Sequence, residues 1–212
     1  MAKSMSVQRY SEKSLRSAVE QFEAFMVAPE DVSRVPRALS ECGVRFVVVE
    51  SLPGSKIDGV CFWLDDYSPV IGMSTRYDRI DNFWFVLRHE IEHVLHRHGR
   101  DEEILDDLEG SGAGTDSSVP EEERIANGAA SDFCVPAARL DSFILRKRPF
   151  FYEKDVLAFS GVVQRHPGVV VGQMQRRLND YAYLRRHQAK VRHLLTPGAM
   201  TDGWGQAAQV SI

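Results

Sequence analysis

The run Asp81-Asn82-Phe83-Trp84-Phe85-Val86-Leu87-Arg88-His89-Glu90-Ile91-Glu92-His93-Val94-Leu95 carries an apolar helical period and two histidines four positions apart. A helix advances by about 100° per residue, so His89 and His93 stand one turn apart on the same face. Two imidazoles placed in this way can hold one metal ion. Glu90, beside the first of them, can serve as general base toward the attacking water of a hydrolysis. The residues Phe83 to Leu87 make this a buried helix, and buried imidazoles and carboxylates are costly unless they have partners. A metal is the simplest partner they can share. A single histidine on a helix is more often structural or solvated, but the paired spacing with its glutamate favours a catalytic metal.

A catalytic zinc takes three protein ligands and keeps one position open, so a third ligand must come from another part of the chain. The metzincin pattern would need glycine three residues after the second histidine, where this chain has His96. A carboxylate on a following helix is the alternative. Pro120 and the acidic run Glu121, Glu122, Glu123 suit a helix N-terminus. On that helix Glu123, Ala126 and Ala130 share a face, and the alanines would let it approach the histidine helix closely. Glu123 is the first choice of ligand and Glu122 the second. The donor set suits Zn2+, and Mn2+ or Fe2+ accept the same ligand types. His96 and His98, past the motif, read as a solvated cap at the helix end.

Outward from this helix the pattern changes twice. Residues 12–27 have apolar positions at helical spacing, and a second short helix is expected at 30–41, closing at Gly43. Val44 to Val49, Val60 to Leu64 and Pro69 to Met73 read as strands, the last two around the turn Asp65-Asp66-Tyr67-Ser68. A three-stranded antiparallel sheet over 44–74 is the expectation. Asp81 is expected to cap the histidine helix, with Gly99 as its stop. Residues 106–120 read as a loop, and helices are expected at 121–136, 136–147, 152–162, 167–177 and 180–195. The fold class is therefore α+β: a small sheet packed on a zincin-like helical core, followed by a helical C-terminal region. The expected divisions are an N-terminal helix (1–29), a metallopeptidase domain (30–136), a helical subdomain (137–196) and a flexible tail (197–212).

Composition narrows the class. The net charge of -4 disfavours a protein that coats nucleic acid. No apolar run approaches the roughly 20 residues of a membrane span, and the N-terminus lacks the apolar core of a secretory signal. Cys42, Cys61 and Cys134 are far apart and odd in number, which fits reduced thiols in a cytoplasmic protein.

Four segments together resemble the ImmA/IrrE family of metallo-endopeptidases. They are Leu52 to Gly59 with the strand bearing Phe62-Trp63; Arg76 to Phe85 running into His89–His93; Glu123-x-x-Ala126-Asn127 ending at Val135-Pro136; and His166 to Gln175. The resemblance covers roughly residues 30–178. It implies a gluzincin-like site, with His89, His93 and Glu123 on zinc and Glu90 as base. It also implies a protein substrate: a helix-turn-helix DNA-binding repressor or antitoxin-like regulator, whose cleavage relieves repression. The chain departs from the pattern at Ala129, where many relatives are aromatic, and at Ile125, where many have a second Glu. Only about 40 residues precede the first strand, too few for a DNA-binding domain and linker, so a stand-alone catalytic portion is expected.

Other residues invite weaker readings. His166, before Pro167-Gly168, can be a donor to the oxyanion of the tetrahedral intermediate or an ordinary residue of a helix-starting turn. Tyr77 is a lesser candidate for the first role. Arg76, Arg79 and Asp81 suit a structural ion-pair cluster. The basic residues between 176 and 193 suit a solvated face better than a phosphate-binding one. Two further functions compete with the peptidase. One is a non-proteolytic metal-containing module that regulates a DNA-binding partner by contact, which the retention of Glu90 disfavours. The other is a direct transcription regulator.

Overall fold

In the computed structural model, which describes residues 1–50, 54, 56–74, 76–100, 104–106 and 120–202, Ser11 opens the first long helix. Its hydroxyl accepts the N–H of Ser14 at 3.2 Å, supplying one of the partners that a helix N-terminus lacks. Helix α1 (Glu12–Phe25) then buries Leu15, Ala18, Phe22 and Phe25 along one stripe. A 3-10 turn (Pro29–Arg34) leads into α2 (Val35–Glu41), which closes at Gly43, a residue with φ +82°.

The sheet contains β1 (Arg45–Val49), β2 (Gly59–Trp63) and β3 (Pro69–Met73), as the sequence suggests, but it is mixed rather than antiparallel. Strands β2 and β3 form the expected antiparallel hairpin, with Cys61 opposite Ile71. Strand β1 instead pairs parallel with β3, Phe46 opposite Ile71. The physical reason lies in the connections. A short acidic turn forces β2 and β3 antiparallel, whereas the longer connection after β1 lets the chain cross β3 before β2 begins. Two further short strands complete a five-stranded sheet in the order β4-β2-β3-β1-β5: β4 (Ile104–Asp106), antiparallel to β2, and β5 (Met200–Asp202), parallel to β1. Residues 200–202 of the expected tail are thus part of the sheet. The expected loop at 106–120 lies outside the described residues except for its two ends.

Helix α3 (Ile80–Leu95) packs on β2 and β3 and is buried along almost its whole length. Trp84 is wholly enclosed, with the ring of Phe83 at 5.0 Å and that of Phe22 at 6.1 Å. Asp81 does not cap this helix. Arg79 occupies the N-cap position, and Asp81 lies in the first turn, gripped by the Arg79 guanidinium at 2.6 and 3.0 Å. Helices α4 (Glu121–Cys134), α5 (Ala137–Lys147), α6 (Glu153–Val163) and α7 (Pro167–Leu178) come next in the chain, and α4 and α7 both pack on α3.

The single helix expected at 180–195 does not form. Asn179 ends α7 in the left-handed region at φ 53°, and Leu184 is left-handed again at φ 46°. The chain then makes a 3-10 turn (Arg185–His187) and a short α8 (Arg192–Leu195). Tertiary bonds replace helical ones here. The Asp78 carboxylate accepts the N–H groups of Val191 and Arg192, both at 2.8 Å, and Gln175 donates to Tyr183 O at 2.7 Å. Among the basic residues between 176 and 193, Arg177 pairs with Asp141, Arg186 with Glu153, and Arg192 with Glu50. No helix among the described residues is long and apolar enough to cross a membrane.

Candidate metal centre

His89, Glu90 and His93 are fully buried in the second half of α3. Helix α4 lies alongside, and Ala126, Ala130 and Cys134 are its buried positions. Small side chains at such a contact let two helix axes approach closely. Glu123, one turn before Ala126, is thereby carried to the histidine pair.

Three possible ligand atoms converge there. His89 Nε2 and His93 Nε2 are 3.0 Å apart. Glu123 Oε2 lies 3.3 Å from the first, and its Oε1 lies 3.2 Å from the second. These spacings test whether the residues fit a metal. A tetrahedral site with metal–ligand bonds of about 2.0 Å has edges of about 3.3 Å between ligand atoms. The donor types fit as well, since two imidazoles and a carboxylate are ordinary ligands of a catalytic zinc. Among the described residues, His89, His93 and Glu123 are the one group arranged to hold a metal ion. Burial pushes the Glu123 carboxyl upward, but the hydrogen bonds and charges of the two histidines outweigh it and hold the group well below the usual carboxylate range.

The neighbouring acids are placed differently. Glu122, half exposed, faces His98 at 3.8 Å, and Glu121 pairs with Arg124 at 3.2 Å. Of the three glutamates, only Glu123 meets both imidazoles.

The helix end is more than a solvated cap. His96 is exposed and pairs with Glu92. His98, however, turns back so that its Nδ1 lies 3.0 Å from Nδ1 of His93. Two left-handed residues make that reversal, Arg97 at φ 58° and Gly99 at φ 75°. Strand β2 then pins the turn: Trp63 Nε1 donates to His98 O at 2.9 Å, and Trp63 N–H donates to Gly99 O at 3.2 Å. Desolvation first, and then the charge of His93, lower the pKa of His98 from its ordinary value. Sequence alone reads His98, like His96, as a solvated cap, because the reversal depends on contacts with a distant strand.

Glu90 packs against β2 at Gly59, where a Cβ would lie 2.7 Å from the Glu90 Cδ. Gly59 opens β2 one residue before the strand expected from Val60, so only the packing of α3 on the sheet reveals this close approach.

His166 is not brought into the cluster. It is the N-cap of α7, its Nδ1 accepting from Gly168 N–H at 3.0 Å and its own N–H donating to Met26 O at 2.7 Å. The adjoining Gly168 packs on Ile80, at the opposite end of α3 from the histidine pair. At a rise of roughly 1.5 Å per residue, that is about 14 Å along the helix from His89. The structure thus places His166 in the helix-starting turn, apart from the histidine pair. Arg76 covers the ring of Tyr77 at 4.8 Å and bonds Asp58 at 3.2 Å, while Arg79 and Asp81 pair with each other.

A family model described as the IrrE N-terminal-like domain, Peptidase_M78, matches residues 43–179. That span runs from the entry to β1 to the end of α7 and takes in His89, Glu90, His93 and Glu123. No curated protein matches the chain.

Proposed function

The chain belongs to the IrrE N-terminal-like peptidase family, and from that membership and the site's geometry we propose that it is a zinc-dependent endopeptidase of the gluzincin type. One observation carries the reading: the convergence of His89 Nε2, His93 Nε2 and the Glu123 carboxylate at 3.0–3.3 Å. These three residues hold the metal. When bound, zinc would polarise the scissile carbonyl and acidify the attacking water. Glu90 takes the proton of that water and passes it to the leaving amine. Its carboxylate is enclosed by β2, so it faces the reaction from a fixed position. His98 positions the His93 ring through Nδ1, which leaves Nε2 directed at the metal.

The substrate is a helix-turn-helix DNA-binding repressor or antitoxin-like protein, and its cleavage relieves repression in the cytoplasm. The resemblance of the four sequence segments to ImmA/IrrE peptidases supports this part of the reading. The ion pairs of Arg177, Arg186 and Arg192 support a protein substrate over direct nucleic-acid binding by the chain itself.

The test is elemental analysis of the wild type, His93→Ala, Glu123→Ala and Glu90→Gln, followed by incubation with candidate repressors. One zinc per chain is expected in the wild type and in Glu90→Gln, and loss of zinc in the two ligand variants. Cleavage is expected in the wild type alone. Absence of metal from the wild type after zinc is supplied would overturn the reading. Zinc retained by Glu123→Ala would overturn the ligand assignment.

A further inference from the structure

Among the described residues three arginines gather around the N-terminal half of α3, and two of them hold a carboxylate there. The Arg79 guanidinium takes both oxygens of Asp81 and adds a bond to Gln175 Oε1 at 2.9 Å. Arg76 takes Asp58. Arg176, on α7, is the third. Its Cζ sits 3.8 Å over the ring of the buried Phe85, and it forms no hydrogen bond or ion pair with any described residue. Asp58 and Asp81 are near enough to act on its charge, but both are already bound to other arginines. Desolvation depresses the Arg176 pKa, against the pull of these acids and of Tyr181 and Cys134. A guanidinium nonetheless stays charged in proteins, so the cost of holding it there is not relieved by losing the proton.

The position is close to the proposed chemistry. The Phe85 ring on which Arg176 lies is itself stacked with His89, centroids 6.4 Å apart. The guanidinium is therefore within about 10 Å of the His89 ring, roughly three residues of extended peptide at ~3.3 Å each. A second link leads the same way. Asp58, which acts on Arg176, immediately precedes Gly59, and Gly59 is the residue packed on Glu90.

A planar cation, fixed on an aromatic face with its forked donors unused, is preorganised to take a carboxylate in two parallel hydrogen bonds. We propose that Arg176 forms an acidic-residue subsite, binding an Asp or Glu side chain of the substrate within about three residues of the bond that is cut. The inference rests on the endopeptidase reading for the identity of its ligand as a peptide. The competing role is packing alone, in which the aliphatic stem of Arg176 covers Phe85 and the charge does nothing.

Binding separates this subsite from catalysis. Zinc-loaded Glu90→Gln protein is titrated against fluorescent octapeptides that differ only in carrying Glu, Gln or Lys at one scanned position. At one or two positions the Glu peptide is expected to bind at least about tenfold more tightly than its Gln counterpart. Adding Arg176→Gln should abolish that preference, and Arg176→Glu should transfer it to the Lys peptide, with zinc content and the thermal midpoint showing that the site and fold persist. Equal binding of Glu and Gln peptides, or a preference that survives Arg176→Gln, would overturn the subsite. If the preference is present but zinc-loaded wild type leaves every peptide and repressor intact, the endopeptidase reading falls and the subsite stands.

Discussion

Gly59 and Glu90 are in such close contact that β2 has no room for a side chain at that position: a Cβ on Gly59 would overlap Oε1 of Glu90 and lie 2.7 Å from its Cδ. Gly59→Ala must therefore move the carboxylate proposed as base, while His89, His93 and Glu123 are untouched. A displacement of about 1 Å at a reacting group costs on the order of a hundredfold in rate. Peptidase activity is expected to fall by about that factor with zinc content unchanged, and overpacking should cost about 1–3 kcal/mol of stability. Activity within a few-fold of wild type would show that Glu90 does not act from this position.

The contact between His98 and His93 gives a different signature. A ligand histidine is oriented by the partner of its other ring nitrogen, and losing that partner weakens metal affinity by about 10–100-fold. His98→Ala should show a loss of this size in competition with a chelator of known affinity. His96→Ala, which removes an exposed ring bonded to Glu92, should leave affinity unchanged. Equal effects of the two substitutions would mean that His98 acts only through general charge.

Much of this site could be read before the fold was known, and the reason is local. His89, Glu90 and His93 lie within one turn and a half of helix, so the period alone places them together. Glu123 was reachable because Ala126 and Ala130 mark the face that approaches a neighbour. What escaped the sequence depends on residues far apart in the chain. The parallel pairing of β1 with β3 comes from a crossover whose direction no local pattern records. Residues 200–202 and His98 owe their places to β1 and β2 respectively, and neither carries a strong signal of its own. The expected helix at 180–195 had a sound apolar stripe, but the backbone reverses at Asn179 and Leu184, and Asp78 and Gln175 bind its peptide groups.

The pairing of Arg79 with Asp81 braces the start of the histidine-bearing helix, and its energetics should differ from those of surface pairs. The Asp81 side chain is 11% exposed and takes two guanidinium bonds. Arg79→Ala strands that carboxylate and is expected to cost about 2–4 kcal/mol. For a chain of this size the thermal midpoint should fall by roughly 4–16 °C. Arg37→Ala, which breaks a pair with side chains 86% and 61% exposed, should stay within about 0.5 kcal/mol of wild type. Chemical denaturation of both variants decides the comparison.

Burial of the Cys134 thiol should make stability fall on the alkaline side. All three cysteines are buried, and burial pushes the Cys134 thiol up to about 12, with a further push from Asp81. In the unfolded chain the same thiol ionises near its ordinary value, about 8.5. Below that pH both states hold the proton, and the contribution to stability is fully present. Above it the unfolded state loses the proton first, so stability declines as pH rises toward the folded value of about 12. Tyr10, also raised to about 12 chiefly by burial, adds to the decline from about pH 10 upward. Urea midpoints measured from pH 7 to 11 should therefore be level to about pH 8.5 and then fall. Cys134→Ala should start lower, by about 1 kcal/mol for its small cavity, and fall less steeply. The same burial makes the thiols slow toward an aromatic disulfide reagent at pH 8 in the native protein and fast in denaturant. A rapidly reacting native thiol that Cys134→Ala removes would contradict the enclosed position on which this pH dependence is built.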